Sequence, residues 1–344
     1  MTGTRFRNFL AIVEIRTKLV SVSSFTLGTL YAWSRSDLLS WAEGNISLSR
    51  LIRTLVMFLA TLCVDMGTTA WNTYFDYLRG TDDPRINREA DKVLIHGNLP
   101  PSYAFWTAFW LFLAALLGGL ILAGLVGFWM IPVGALCMAV GFFYNAGPLP
   151  LSHTPLGELF AGGFLGSLLF LIAYGVQVAS TGILETAGVA GVAVGREIAF
   201  LGSCLLLPGV DFLAFQASLP SGLAVGAILA VNNACDVMGD REVGRKTLAV
   251  LLGPAFGAGL ALILALGASV YGIVLSECGL LPHLGVYTFS GSLLFTVFKG
   301  LQMHRRGYSH STKSRNMGSV MQIFGVYSLA YGVLLGSQVF RTVP

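Results

Sequence analysis

Two short stretches place amides and acids at helical spacing inside otherwise apolar sequence. The first runs Trp71-Asn-Thr-Tyr-Phe-Asp-Tyr-Leu-Arg-Gly-Thr-Asp-Asp83. Asn72 and Asp76 stand four apart and share one helical face. Asp65, seven before Asn72, lies on nearly the same stripe and reads as structural. Gly80 suits a helix stop, from which Asp82 folds back over the opening. The second stretch runs Asn232-Asn-Ala-Cys-Asp-Val-Met-Gly-Asp-Arg241 and puts Asn232, Asp236 and Asp240 on one stripe. Bases follow each: Arg79, Arg85, Arg88 and Lys92 after the first, Arg241, Arg245 and Lys246 after the second.

Carboxylates and amide oxygens are the ligands that Mg²⁺ prefers, and the ion usually keeps substrate phosphates in its shell. Lys and Arg then take the remaining phosphate charge. A diphosphate so held becomes a good leaving group. A helix-end acid is often only a solvated flank, and an Asn–Asp stripe also suits a hydrogen-bonded seam between helices. Two matching stripes, each trailed by bases, favour the diphosphate reading.

The elements that must carry these stretches are membrane helices. Of 344 residues, 55% are hydrophobic and 11% charged, and the mean hydropathy is +0.73. Soluble domains carry roughly 25% charged residues, so a cytosolic enzyme and a disordered chain are both excluded. Apolar runs of about 20 residues, enough to cross ~30 Å of hydrocarbon, recur near 9–33, 51–79, 103–124, 126–145, 156–179, 218–238, 253–276, 281–300 and 318–340. The expectation is an all-α, polytopic bundle of about nine transmembrane helices. Residues 180–217 form an atypical, Gly-rich insert, and an even number of extra crossings there, or none, keeps both motif ends on one face. Most Lys and Arg fall on that same face, which sets it and the N-terminus toward the cytoplasm. The N-terminal 20 residues lack the form of a signal peptide, because Glu14, Arg16 and Lys18 interrupt the apolar run. They read as the first span, and a bacterial inner membrane is the default location. A net charge of +4 spread in this way gives no reason to expect nucleic acid as a partner.

Other motifs fall away. Gly239-x4-Gly-Arg-Lys-Thr247 has its Lys one place late for a phosphate loop and no strand before it. Gly253-Pro-Ala-Phe-Gly257 is a small-residue packing pair. Five scattered cysteines read as buried apolar thiols, and the five histidines show no ligand spacing.

With these motifs the sequence resembles the UbiA superfamily of intramembrane prenyltransferases, and within it the branch that prenylates 1,4-dihydroxy-2-naphthoate. Four segments carry the resemblance: 72–82, Tyr144-Asn-Ala-Gly-Pro-Leu-Pro-Leu-Ser-His-Thr-Pro-Leu-Gly-Glu158, Ala173-Tyr-Gly-Val-Gln177, and 232–253 with its Asn-Asn, Asp-Arg and Lys-Thr-Leu-Ala elements. It departs from the pattern in three places. Gly80 shifts the first motif's last acid to Asp82, Tyr144 is followed by Asn where the superfamily has Lys, and 180–217 is long.

The resemblance implies a single integral-membrane domain over 1–344. It implies that Asn72, Asp76, Asp82, Asp236 and Asp240 hold Mg²⁺ bridged to a polyprenyl diphosphate, the four acids being catalytic. Arg79, Lys92, Arg241 and Lys246 would contact the phosphates, and Tyr144 and Asn233 would line the pocket. The allylic C–O bond would ionise and an aromatic ring carbon attack. With dihydroxynaphthoate, CO₂ leaves and a demethylmenaquinol forms, Asp76 being the preferred group to accept a proton from the acceptor. Another aromatic acceptor or a terpene cyclase would keep the same motifs. A cation-coupled transporter would need its acids near the midplane, not at helix ends.

Overall fold

The computed structural model describes residues 2–35, 48–80, 99–148, 150–179 and 210–342, with Leu94 and Leu207 as isolated positions. Asp82, Lys92 and most of the 180–217 insert lie outside them. The described residues form helices and no strand: α1 (Thr2–Ile12), α2 (Leu19–Ser34), α3 (Leu48–Leu78), α4 (Pro101–Val126), α5 (Met130–Asn145), α6 (Gly157–Val178), α7 (Phe212–Cys235), α8 (Val237–Glu242), α9 (Leu248–Leu252), α10 (Pro254–Glu277), α11 (Leu284–Arg306) and α12 (His310–Thr342).

Among the described residues seven of these, α3, α4, α6, α7, α10, α11 and α12, are long and apolar enough to cross a membrane. That count falls short of nine for two reasons. Helix α5 has only 16 residues, and the expected first span over 9–33 is not one helix. It breaks at Glu14, whose φ of 47° is left-handed, and a 3₁₀ turn over Ile15–Lys18 precedes α2. Glu14, Arg16 and Lys18 cannot face hydrocarbon together on a regular helix, and the break turns Lys18 inward, where it is 3% exposed. The insert also resolves in part. Asp211, one of its charges, caps α7 by accepting a bond of 2.7 Å from the Ala214 amide, so 212–217 belong to that helix.

Lipid gives helices no hydrophobic reason to associate, so close approach comes from small residues. Helix α6 carries a π-helical stretch over Gly162–Leu168, and its Gly162 and Gly166 lie against Gly222 of α7. A Cβ added at Gly166 would stand 2.5 Å from the Gly222 Cα. The centre of the bundle is aromatic, with Tyr31, Phe170, Tyr174, Phe289, Tyr327 and Tyr331 all buried. Two of its hydroxyls anchor it to α7: Tyr331 donates to the Ala217 carbonyl at 2.8 Å and Tyr327 pairs with Ser221 at 3.1 Å.

The end of α3 away from Asp76 is sealed by polar contacts. The fully buried Arg53 donates to the Ala179 carbonyl at 2.8 Å. Gln177 bridges Trp33 and Thr54, and Arg35 pairs with Asp211 at 3.1 Å. The bundle is thus closed at one end and offers its acids at the other.

Replacing Gly166 by Ala forces backbone against backbone and is expected to cost about 1–3 kcal/mol of stability, as overpacking does elsewhere. Gly163→Ala, with nothing within 4 Å of the new Cβ, is the control. Thermal midpoints of the detergent-solubilised proteins should separate the two.

Candidate active site

Asp76 sits half a turn before the end of α3, and Asp240 lies within the short α8. Arg245 joins them. Its Nη2 lies 3.4 Å from Asp76 and its Nη1 3.2 Å from Asp240. The chain reaches this arrangement because Gly244, at φ 75°, turns the backbone after α8. The Arg245 amide then donates to the Asp240 carbonyl at 2.8 Å. The ends of α3 and α7 therefore meet on one face, as the parity of the spans demands.

Around this clamp the end of α5 is tied to the end of α3. Asn145, at the end of α5, donates to Asp76 at 2.9 Å and accepts from the Ser152 hydroxyl. Arg79 donates to the carbonyls of Asn145 and of Gly147 and covers the Phe75 ring at 5.5 Å. It therefore fixes the turn after α5. Burial and the neighbouring Arg245 and Arg79 push His153 down to about 4, so it is neutral at pH 7.

The second stripe is not continuous. The helix is interrupted at Asp236, which closes α7 with φ −103° and ψ 9°. Asn232 is left facing the interior, while Asp236 turns toward the start of α12. There it meets Lys313 at 2.7 Å and His310 at 3.5 Å. Asp240, 5% exposed, is pushed up to about 6, chiefly by burial and against the pull of Arg245.

Asn72, Asn232 and Tyr144 line the polar end of a cavity of about 540 Å³. The cavity continues between apolar walls to Met57, Leu122 and Met130. Met57 precedes Asn72 by 15 positions on α3, which is roughly 22 Å along the axis.

The other expected site residues fall elsewhere. Asn233 is buried and donates to Glu158 of α6 at 2.9 Å, so it joins two helices outside the cavity lining. Arg241 and Lys246 are exposed, and the Lys246 amide donates to the His153 carbonyl at 2.9 Å. Arg245, Asn145 and Lys313 take the contacts to the acids instead. Spacing favoured no one of the three bases after Asp240, and Lys313 is distant in sequence.

The donor set suits a hard cation. It consists of carboxylate and amide oxygens, and both the Asp240 Oδ2 and the Asn72 Oδ1 are buried with no hydrogen-bond partner among the described residues. Among the described residues no three His, Cys, Asp or Glu side chains already converge as a metal site. The positive charge between Asp76 and Asp240 is supplied by Arg245.

Over residues 25–326 the chain matches the UbiA prenyltransferase family. The chain belongs to that family. It is an integral membrane protein, with an all-α fold to match. It is 29% identical over 203 residues to a Bacillus subtilis protein named 1,4-dihydroxy-2-naphthoate octaprenyltransferase, covering 59% of this chain and 56% of that one. It is 31% identical over 200 residues to the human UbiA prenyltransferase domain-containing protein 1, covering 57% of this chain and 49% of the relative. The matched stretch thus spans about half the length of these relatives. A UbiA homologue from Archaeoglobus fulgidus, solved bound to DMAPP and Mg²⁺, superposes with a TM-score of 0.56 at 13% identity over 96% of this chain and 99% of that one.

A carboxylate that holds a metal must shed its proton, so if Asp240 were to bind a divalent cation, that affinity would fall as pH drops from 7 to 5 through the raised value of Asp240. The metal-free protein should respond in the opposite sense. A carboxyl raised on folding stabilises fully below its ordinary 3.8, and that contribution is lost as pH rises through about 6. Titration calorimetry and thermal midpoints across this range check both signs.

Proposed function

We propose that this protein transfers a polyprenyl group from an allylic diphosphate to 1,4-dihydroxy-2-naphthoate in a Mg²⁺-dependent reaction, with loss of CO₂ and diphosphate, to give a demethylmenaquinol. One observation carries the reading. A single cavity joins the amides of both acidic motifs to a long apolar interior, and these two environments suit the two halves of a prenyl diphosphate. The names borne by the Bacillus relative and by the Archaeoglobus complex support it.

In this reading Asn72, Asp76, Asp236 and Asp240 hold Mg²⁺, joined by Asp82, which lies outside the described residues. Such an ion would supply positive charge against the departing diphosphate. The chain's own residues do the rest. Arg245 lies between Asp76 and Asp240 and, with the carboxylates given over to an ion, its guanidinium would be available to the phosphates. Lys313 and His310 fix Asp236 from α12. Lys92, Arg241 and Lys246 are left as outer bases that draw the diphosphate in, and Arg79 keeps the turn after α5 in place. The apolar walls exclude water from the allylic carbon, so the ring and not hydroxide captures it. Tyr144 borders the same space. Asp76 takes a proton from an acceptor hydroxyl as the new carbon–carbon bond forms at the carboxylate-bearing carbon, and returns it to that oxygen as CO₂ leaves and the ring regains its aromaticity.

Site and cavity draw on helices from α3 to α12, which supports a single domain over 1–344. Arg79, Arg241, Arg245, Lys246, Arg305, Arg306 and Lys313 gather at the site end, which supports a cytoplasmic site in a bacterial inner membrane.

The test uses membranes containing the protein, a radiolabelled allylic polyprenyl diphosphate, and the naphthoate, with and without Mg²⁺. A prenylated naphthoquinol that needs the metal is the expected product. Asp76→Ala and Asp240→Ala should each lower its formation by about 10²-fold or more, as loss of a transition-state charge partner does. Diphosphate release with a different lipid product would move the acceptor, and no turnover of any allylic diphosphate would overturn the reading.

A further inference from the structure

One wall of the cavity is polar well below the acidic motifs. Glu14, Thr17, Asp65, Thr68 and Thr69 line it, where the remaining walls are almost wholly apolar. At its centre the Lys18 ammonium lies 2.7 Å from Asp65 Oδ1 and 2.7 Å from the Thr69 hydroxyl. The Ser21 hydroxyl donates to Asp65 Oδ2 at 2.5 Å. Lys18 is withdrawn from the cavity lining; Asp65 is part of it, with its side chain 13% exposed.

A buried ion pair is seldom the most stable filling for an apolar wall, because desolvation offsets its attraction. Ionisable groups in membrane spans are costly and usually serve a guest. Here the chain also breaks its first helix and places Glu14 in the left-handed region to bring Lys18 to α3. The guest's chemistry follows from the wall. A prenyl tail gains nothing from it. A diphosphate or a carboxylate is repelled by Asp65 and Glu14. A neutral hydrogen-bond donor fits, because a carboxylate with two bonds still has lone pairs to offer.

We propose that Asp65, oriented by Lys18 and Ser21, accepts a hydrogen bond from a ring hydroxyl of the aromatic acceptor and so fixes which edge of the ring faces the prenyl donor. This rests on the prenyl-transfer reading. Asp65 lies seven residues before Asn72 on α3, roughly 10 Å below it, so a fused ring standing on this wall spans from the carboxylate toward the diphosphate level. The acceptor's own carboxylate then points away from Asp65.

The decisive measurement is equilibrium binding to the purified full-length protein, which does not require turnover. The probes are 1,4-dihydroxy-2-naphthoate and its two mono-methyl ethers. The variants are Asp65→Asn and the exchange Lys18→Asp with Asp65→Lys. Wild type should bind one ether about tenfold or more weakly than the diol, the scale of a lost hydrogen bond to a charged group. Asp65→Asn should weaken the diol by a similar factor and erase the difference between diol and that ether, leaving affinity for the prenyl diphosphate within twofold. The exchange variant restores the ion pair and should recover the thermal midpoint without recovering diol affinity. Undiminished discrimination in Asp65→Asn, recovered affinity in the exchange variant, or no binding of the diol to wild type would overturn the assignment. Absence of product from a wild type that binds the diol through Asp65 would instead count against the transfer reading alone.

Discussion

Everything at the open end of the bundle depends on keeping carboxylates paired where little water reaches them. Asp76 and Asp240 come from helices far apart in sequence, and one guanidinium holds both. Without it, two buried like charges would repel across a site of low dielectric, and α3 would be driven from α8. The same arrangement that answers this electrostatic problem also brings the two motifs together. Asn145 and Arg79 extend it to the end of α5, and Lys313 ties Asp236 to the start of α12.

The second requirement is a space with two characters. The helices around the cavity approach one another on glycine and alanine, with Gly162 and Gly166 of α6 against Gly222 of α7. The closeness of those backbones on one side leaves room on the other. At the end away from the acids, Arg53 donating to Ala179 ties α3 to the end of α6. A transport site belongs near the bilayer midplane, and the position of the acids at a single end of the helices argues against one.

The acidic motifs were legible because Asn-x3-Asp is a helical spacing and because charge in an apolar run is conspicuous. Helix α3 and most of the later spans followed from run length alone. Three features were not readable. The interruption at Asp236 follows from contacts with Lys313 and His310, which sit more than 70 residues away. The choice of Arg245 over Arg241 and Lys246 depends on the direction in which Gly244 turns the chain. Asp65, read from sequence as structural, has its partner 47 residues earlier. The charges that announced a break at 14–18 were visible, but the partner that makes the break useful was not.

Helix α5 ends in the residue that holds Asp76, yet its 16 residues reach only about 24 Å. The hydrocarbon layer is some 30 Å thick. A short span of this kind draws the headgroup region inward on its flank. Thinning of that kind would bring the water boundary nearer the carboxylates. An amphiphile anchored by its tail can arrive by sliding along the leaflet, without lifting its polar head out of the plane it already occupies.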